Sequence, residues 1–322
     1  MQTFSEIKDI YESYFKTESF HEQPAELYDA VQHIISMKGK RIRPSLLLMA
    51  CELFGGKLQS ALAPAFGIEL FHNSTLIHDD IMDEAALRRG CPSVHKVFGI
   101  NRAILAGDVM MFYAYQFLSK VADEHLLEIV RVFNKTAINV FEGQQMDMIF
   151  EKQNHVEEEA YLKMIECKTS VLIAASLQIG AIIAGASTTD KDLIFQFGRN
   201  LGIAFQLKDD YLDVFGKGEK VGKRIGGDIV QNKKTFLLIT ALKNADDGYR
   251  KRLLREMKNQ DESIKIREVI ELYKELNVKE ATQQKMKEYY SQGLENLRAV
   301  DVGKAKKQAL FDLAEHIFFR DY

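Results

Sequence analysis

All four prolines of this 322-residue chain, Pro24, Pro44, Pro64 and Pro92, fall within its first 92 positions, so the following 230 residues (322 less 92) contain none. A proline inside a helix removes a hydrogen bond and clashes with the preceding turn, at a cost of about 3 kcal/mol. A long proline-free chain is therefore the composition that stacked helices leave behind. Apolar spacing agrees, with residues three and four apart in Leu46-Leu47-Met49-Ala50-Leu53, in Ile194-Phe197-Leu201-Phe205 and in Ile266-Val269-Ile270-Tyr273-Leu276. Breaks fall at Gly55-Gly56, at Gly99-Ile100-Asn101, from Gly185 to Asp190 and from Asn244 to Gly248. The pattern predicts an all-α fold: one large helical bundle over residues 1–322, about ten to twelve helices around a central cavity, and essentially no sheet. The stretch Val171 to Ala186, VLIAASLQIGAIIAGA, is apolar or small on nearly every face and is expected inside the bundle.

Bulk composition narrows the function. A net charge of -3 leaves no dominant basic face for nucleic acid. No apolar run approaches the roughly 20 residues of a membrane span, and the first residues lack the pattern of a signal peptide. Cys51, Cys91 and Cys167 are odd in number and widely spaced, which suggests buried thiols in a reducing cytoplasm rather than a disulfide framework or a zinc site.

The chemistry is concentrated in two acidic clusters. Asp79, Asp80 and Asp83 form D-D-x-x-D within LIHDDIMDEAALRRG, and Asp209, Asp210 and Asp213 repeat it within FQLKDDYLD. On a helix, residues four apart share a face about 5–6 Å from each other, so Asp79 pairs with Asp83 and Asp209 with Asp213. Like charges so placed destabilise a helix unless a cation lies between them. Each cluster follows an apolar run and is expected at the rim of a buried region. Magnesium takes one or two carboxylates, keeps waters, and completes its octahedron with phosphate oxygens. Two helices facing each other would make these clusters opposing jaws around a diphosphate bridged by several magnesium ions.

Cations that a diphosphate would require are also clustered. Lys40, Arg41 and Arg43 stand in GKRIRP at a helix entrance, Arg88 and Arg89 follow the first aspartates, and Lys168 sits in CKTSVL on an otherwise apolar helix. Lys223 and Lys233 belong to the segment Val214 to Thr235, whose five glycines and six basic residues suit a loop that covers phosphate.

The ordered set GKRIRP, LIHDDIMDEAALRRG, AGDVMM, EGQQMD, CKTSVL, FQLKDDYLD and GGDIVQNKKT resembles the trans-type isoprenyl diphosphate synthases, most clearly from Pro24 to Thr240. The resemblance implies a homodimeric, magnesium-dependent prenyltransferase that condenses an allylic diphosphate (dimethylallyl, geranyl or farnesyl) head-to-tail with isopentenyl diphosphate. It implies three magnesium ions per site, with Asp79 and Asp83 as ligands on one side and Asp80 in support. Asp209 would be a ligand on the other side, with Asp210 and Asp213 contributing through water or by supporting the ligands from behind. Arg88, Lys168, Lys223 and Lys233 would grip the allylic diphosphate. Lys40, Arg43, His72 and Arg89, with backbone at Gly39, would hold isopentenyl diphosphate. Thr169, Gln206 and the Lys168 carbonyl would line the reacting carbons. His78 reads as a packing residue.

In this family the helix entering the first aspartates is the wall along which product grows, and bulk four or five residues before them stops growth early. Those positions are the small Thr75 and Ser74, and Phe71 is the next candidate stop; with a helical turn close to one isoprene unit, this implies a product of about 20–25 carbons. Met110, Met111 and Phe112 are further candidates for the floor. Farnesyl or longer-chain synthesis is the alternative within the family; a non-catalytic regulatory subunit is the alternative in a different class. A terpene cyclase is disfavoured by FQLKDDYLD and GKRIRP.

Overall fold

The computed structural model describes residues 1–20, 22–216 and 225–319. These are helical almost throughout. The first half runs α1 (Phe4–Phe15), α2 (Ala25–Ser36), α3 (Ile42–Leu53), α4 (Leu58–Met82), β1 (Leu87–Arg88), β2 (Cys91–Pro92), α5 (Val94–Phe98), α6 (Ile100–Leu118) and α7 (Asp123–Lys152). Then come α8 (Glu158–Ile165), a π-helical turn (Glu166–Ser170), α9 (Val171–Ile183) and α10 (Thr188–Phe215). Beyond these lie α11 (Gly227–Val230), α12 (Phe236–Asn244), α13 (Asp247–Glu256), α14 (Glu262–Glu275), α15 (Val278–Ala299) and α16 (Lys304–Phe319). Sixteen α-helices among the described residues exceed the ten to twelve expected, because the C-terminal third is cut finely. Asp246 and Asp261 cap the starts of α13 and α14 by accepting backbone N–H groups.

The expected breaks at Gly55-Gly56, Gly99 and Gly185 all fall between helices. Pro64 does not end one: it lies inside α4, which continues for 18 residues beyond it to Met82. That helix is buried on nearly every side, so packing outweighs the lost hydrogen bond.

Two compact units emerge: Met1–Lys135 with Ala175–Phe195 and Val300–Leu310, and Thr136–Ala174 with Gln196–Ala299 and Phe311–Tyr322. In the first, α4 packs along α6 and α3. Phe66 is central to its core, with Phe15, Phe20 and Phe117 around it at ring centroid separations of 5.5, 6.3 and 4.7 Å. The second unit has one cluster around Leu237, Val269, Leu272 and Tyr273, and another around Tyr161, Ile165, Ile203, Leu207 and Met286.

A helical stretch from Glu158 to Ile183 is long and apolar enough to cross a membrane, but 78% of its apolar window is buried inside the protein. That matches the interior placement expected for VLIAASLQIGAIIAGA. The π turn in its middle carries Lys168 and Thr169. It is held by close backbone approach: a Cβ on Gly143 of α7 would lie 2.3 Å from the Lys168 backbone nitrogen, and one on Gly202 of α10 would lie 2.7 Å from the Ser170 Cα. Only glycine permits either approach. The Gly143→Ala substitution is expected to lower stability by about 1–3 kcal/mol, the cost of overpacking, because a backbone atom cannot step aside. Thermal unfolding with an activity assay checks this; an unchanged melting temperature would show that the π turn is not clamped at Gly143.

Candidate active site

Both aspartate clusters occupy the C-terminal ends of long helices. Asp79 and Asp80 lie in the last turn of α4 and Asp83 is its C-cap; Asp209, Asp210 and Asp213 lie in the last two turns of α10. A helix C-terminus carries partial negative charge and favours cations, by about 0.3–1 kcal/mol per charge. Carboxylates there are opposed by the helix dipole as well as by one another, and a bound cation relieves both.

The chain handles the first cluster with a hairpin that the sequence pattern did not reveal. After α4, Glu84 adopts φ 51°, and the chain turns into the ribbon β1–β2, with Leu87 opposite Pro92 and Arg88 opposite Cys91. Its two turn residues, Arg89 and Gly90, have φ 54° and 81°, the paired left-handed conformation of a tight two-residue turn. The ribbon brings Arg88 back onto α4, where its Nε donates to both Asp80 oxygens at 2.9 and 3.1 Å and its Nη2 also donates to Asp80. Asp80 is fully buried. In this arrangement Arg88 serves Asp80, while Asp83 is exposed at the helix end.

Arg89 donates to Asn73 Oδ1 at 3.3 Å, and its guanidinium lies 3.2 Å from the position a Cβ would take on Gly39. Arg43 and His72 face each other at 3.2 Å between Nη1 and Nε2. Arg43 Nε is buried with no hydrogen-bond partner among the described residues. Burial pushes the Arg43 guanidinium down to about 10, and burial followed by the charges of Arg43 and Arg89 holds His72 well below its ordinary value. Half-buried guanidinium groups that crowd one another favour a bound anion. Lys40 is exposed beside it.

Arg41 departs from the expectation for GKRIRP. It takes a left-handed backbone conformation at φ 52° that turns it inward, pairing with Glu69 at 2.7 Å and Glu12 at 3.2 Å and lying 4.2 Å from the Phe15 ring centre. It is a buried structural ion pair and not part of a phosphate grip. Phe112, a candidate for the floor, is 76% exposed in the single chain, on the side of α6 opposite the buried Met110.

In the second unit, Lys168, Thr169, Gln206, Asp210 and Lys233 line one cavity of 130 Å³ with Asp147, Tyr161, Asp228 and Lys234. Lys168 Nζ donates to Asp147 at 2.6 Å. Thr169 Oγ1 donates to Gln206 Oε1, and Gln206 Nε2 to Asp210 Oδ1, each at 3.1 Å. The Tyr161 hydroxyl donates to the other Asp210 oxygen. Burial and then the charge of Asp228 push Asp210 up to about 8 against those two hydrogen bonds. Asp213 acts locally, accepting the Asp228 N–H at 3.0 Å on its side chain and the Gly226 N–H at 2.7 Å on its carbonyl, which ties α11 to α10. Lys233 Nζ stands 3.6 Å from Asp228. Lys223 and the rest of residues 217–224 of the expected phosphate-covering segment lie outside the described residues. Asp147, Tyr161 and Asp228 were not singled out from sequence, although EGQQMD and GGDIVQNKKT contain the two aspartates; nothing in the local pattern marks Tyr161.

Among the described residues no group of three or more His, Cys, Asp or Glu side chains is assembled to hold a metal. Hard carboxylate oxygens with positions left for phosphate and water suit magnesium, which takes few protein ligands. His78 packs against α6, its Nε2 3.3 Å from the Ile104 carbonyl oxygen.

The sequence profile of the Polyprenyl synthetase family matches residues 24–276. The chain belongs to this family. It is 45% identical over 221 residues to a geranylgeranyl diphosphate synthase of Methanosarcina mazei, covering 68% of each chain. It is 39% identical over 229 residues to a geranylfarnesyl diphosphate synthase of Aeropyrum pernix, covering 69% of this chain and 72% of that one. A crystal structure of a geranylgeranyl pyrophosphate synthase superposes with a TM-score of 0.95 at 38% identity, covering all of both chains. The protein is thus an all-α prenyltransferase of isoprenoid biosynthesis.

His72 yields a pH prediction. Its folded value lies below its ordinary 6.5, so below that pH the unfolded chain binds a proton the folded chain does not. Stability is then expected to fall as pH drops below about 6.5, by at most about 1.4 kcal/mol per pH unit. Chemical denaturation of wild type and His72→Asn at several pH values checks this, and equal slopes for both would remove His72 as the cause.

Proposed function

We propose that this polyprenyl synthetase condenses allylic diphosphates with isopentenyl diphosphate to give an all-trans product of about 20–25 carbons and pyrophosphate. The observation that carries the reading is the presence of two opposite concentrations of charge: carboxylates gathered at the negative ends of α4 and α10, which favour a bound cation, and the crowded guanidinium groups of Arg43 and Arg89 beside His72, which favour a bound anion. Asp79, Asp83 and Asp209 are the proposed magnesium ligands, with Asp210 and Asp213 acting through water. Bound magnesium would neutralise the allylic diphosphate and stabilise pyrophosphate as it leaves.

The chain's own residues have distinct tasks. Arg88 orients Asp80 at the end of α4. Lys168 and Lys233 provide positive charge for the departing diphosphate, and Lys223 is proposed to join them. Lys40, Arg43, His72 and Arg89, with Gly39 beside them, hold isopentenyl diphosphate. As the allylic carbon–oxygen bond breaks, the oxygens of Thr169 and Gln206 and the Lys168 carbonyl shield the developing cation without attacking it. The isopentenyl double bond then forms the new carbon–carbon bond. The proton lost in closing the new double bond passes to the released pyrophosphate, so no protein base is required.

Product length is assigned to α4. The Ser74 hydroxyl donates to the Phe71 carbonyl at 2.7 Å and that of Thr75 to the His72 carbonyl at 2.8 Å. Both hydroxyls are satisfied within the helix, leaving small alkyl surface, and Phe71, 2% exposed, is the proposed stop one turn below.

A homodimer is proposed through α6, where Ile104, Leu105 and Phe112 are 41, 58 and 76% exposed along one side. Light scattering on Leu105→Glu/Phe112→Glu is expected to show a monomer where wild type is a dimer; equal masses would move the interface elsewhere.

Incubation of the purified chain alone with magnesium, labelled isopentenyl diphosphate and each allylic primer, followed by chromatography of the dephosphorylated products, tests the activity. Products of about 20–25 carbons are expected, with a loss of about 10³-fold or more for Asp79→Ala and for Asp209→Ala. A farnesyl-only product would refute the small-residue argument, and inactivity without an added partner would favour a regulatory subunit.

A further inference from the structure

We infer that Tyr161, on α8, is a positioning residue for the condensation: through Asp210 it fixes which way the Gln206 amide points, and so turns acceptor oxygens toward the reacting carbons. This rests on the reading that Thr169 and Gln206 shield the allylic cation. Tyr161, Asp210, Gln206 and Thr169 line one cavity and are joined in series. The Thr169 hydroxyl donates to Gln206 Oε1, and Gln206 Nε2 donates to Asp210 Oδ1, each at 3.1 Å. The Tyr161 hydroxyl donates to Asp210 Oδ2. Helix α10 favours the middle bond, since Gln206 and Asp210 are four residues apart and share a face.

The direction of the series follows from what each group can donate or accept. A carboxylate only accepts, so Asp210 must be met by the Nε2 end of the Gln206 amide. Oε1 is then at the other end, and Thr169 spends its one hydroxyl proton on it. The lone pairs of the Thr169 oxygen and the second lone pair of Gln206 Oε1 are left for the cavity. Electron-rich oxygen stabilises a developing cation, whereas an N–H or O–H proton aimed at that cation would oppose it. The arrangement depends on Asp210 keeping Oδ1 toward Gln206, and Tyr161 secures this by holding the other oxygen. Tyr161 is itself held, 3% exposed and within the cluster of Ile165, Ile203, Leu207 and Met286. Asp210 is 5% exposed while its neighbour Asp209 is exposed, so two consecutive aspartates have different surroundings. Without the Tyr161 hydroxyl, Asp210 turns, Gln206 loses its fixed acceptor, and its amide is free to reverse. Reversal passes along the series: Nε2 then donates to Thr169, whose proton swings into the cavity.

The test is a double-mutant cycle on the full chain with magnesium, isopentenyl diphosphate and an allylic primer that the wild type accepts. Single-turnover rates are measured for wild type, Tyr161→Phe, Gln206→Met and Tyr161→Phe/Gln206→Met, with half-saturating substrate and magnesium concentrations and the melting temperature of each. Tyr161→Phe is expected to slow the chemical step about 10–100-fold, the range for residues that orient a reacting group, with half-saturating concentrations unchanged. In the Gln206→Met background the series is already broken, and the same substitution is expected to cost almost nothing further. Tyr161→Met, which also lacks the hydroxyl, serves if Tyr161→Phe does not fold. A wild-type rate for the folded Tyr161 variant would overturn the inference, as would an undiminished loss in the Gln206→Met background or a rate restored by more magnesium. Each of these leaves the condensation reading standing. No condensation by wild type would overturn both.

Discussion

Negative charge at the wrong end of a helix is the constraint on which this protein turns. Two long helices, α4 and α10, each terminate in aspartates, where the helix dipole already points its negative end. No stability argument explains such a choice, since substitution by neutral residues would relieve both the dipole and the mutual repulsion. The fold answers part of the cost itself: Arg88 neutralises Asp80, and Tyr161 and Gln206 hydrogen-bond Asp210. Complementary crowding of positive charge exists near the start of the chain, where the half-buried Arg43 stands beside His72 with the charge of Arg89 nearby. The proposed metal-bound diphosphate would supply charge of both complementary signs.

Precision in the second unit comes from backbone proximity. The π turn places Lys168 and Thr169 on consecutive residues, and glycines on α7 and α10 let both helices press against it. Extra residues in a helix are costly and recur at functional positions. Here the turn supplies one wall of the cavity that also receives Gln206, Asp210 and Lys233. Asp213 contributes by holding α11, the element that presents Asp228.

What could be read from sequence was what depends on local pattern. The proline-free stretch and the three-to-four spacing reflect helix geometry, so the all-α architecture and the breaks at Gly55 and Gly185 were legible. Both aspartate clusters were legible because their spacing is itself a helical property. Features set by long-range packing were not. Arg41 sits two residues from Arg43 yet turns into an ion pair with Glu69, and only a left-handed backbone decides between them. The hairpin that returns Arg88 to Asp80 is two residues per strand, too short for any alternating pattern. Tyr161 lies on an ordinary apolar helix face, and its partner Asp210 is 49 residues away. Pro64 shows the reverse, a strong local signal overridden by burial of α4.

The most direct measurement is calorimetric titration of the purified protein with pyrophosphate, with and without magnesium. If the aspartate clusters are cation seats that become stable only around a diphosphate, binding will be strong with magnesium, weak in chelator, and weak under both conditions for Asp79→Ala and Asp209→Ala. Binding of equal strength in chelator, or undiminished in those two variants, would contradict the assignment of both helix ends to a metal-bound diphosphate.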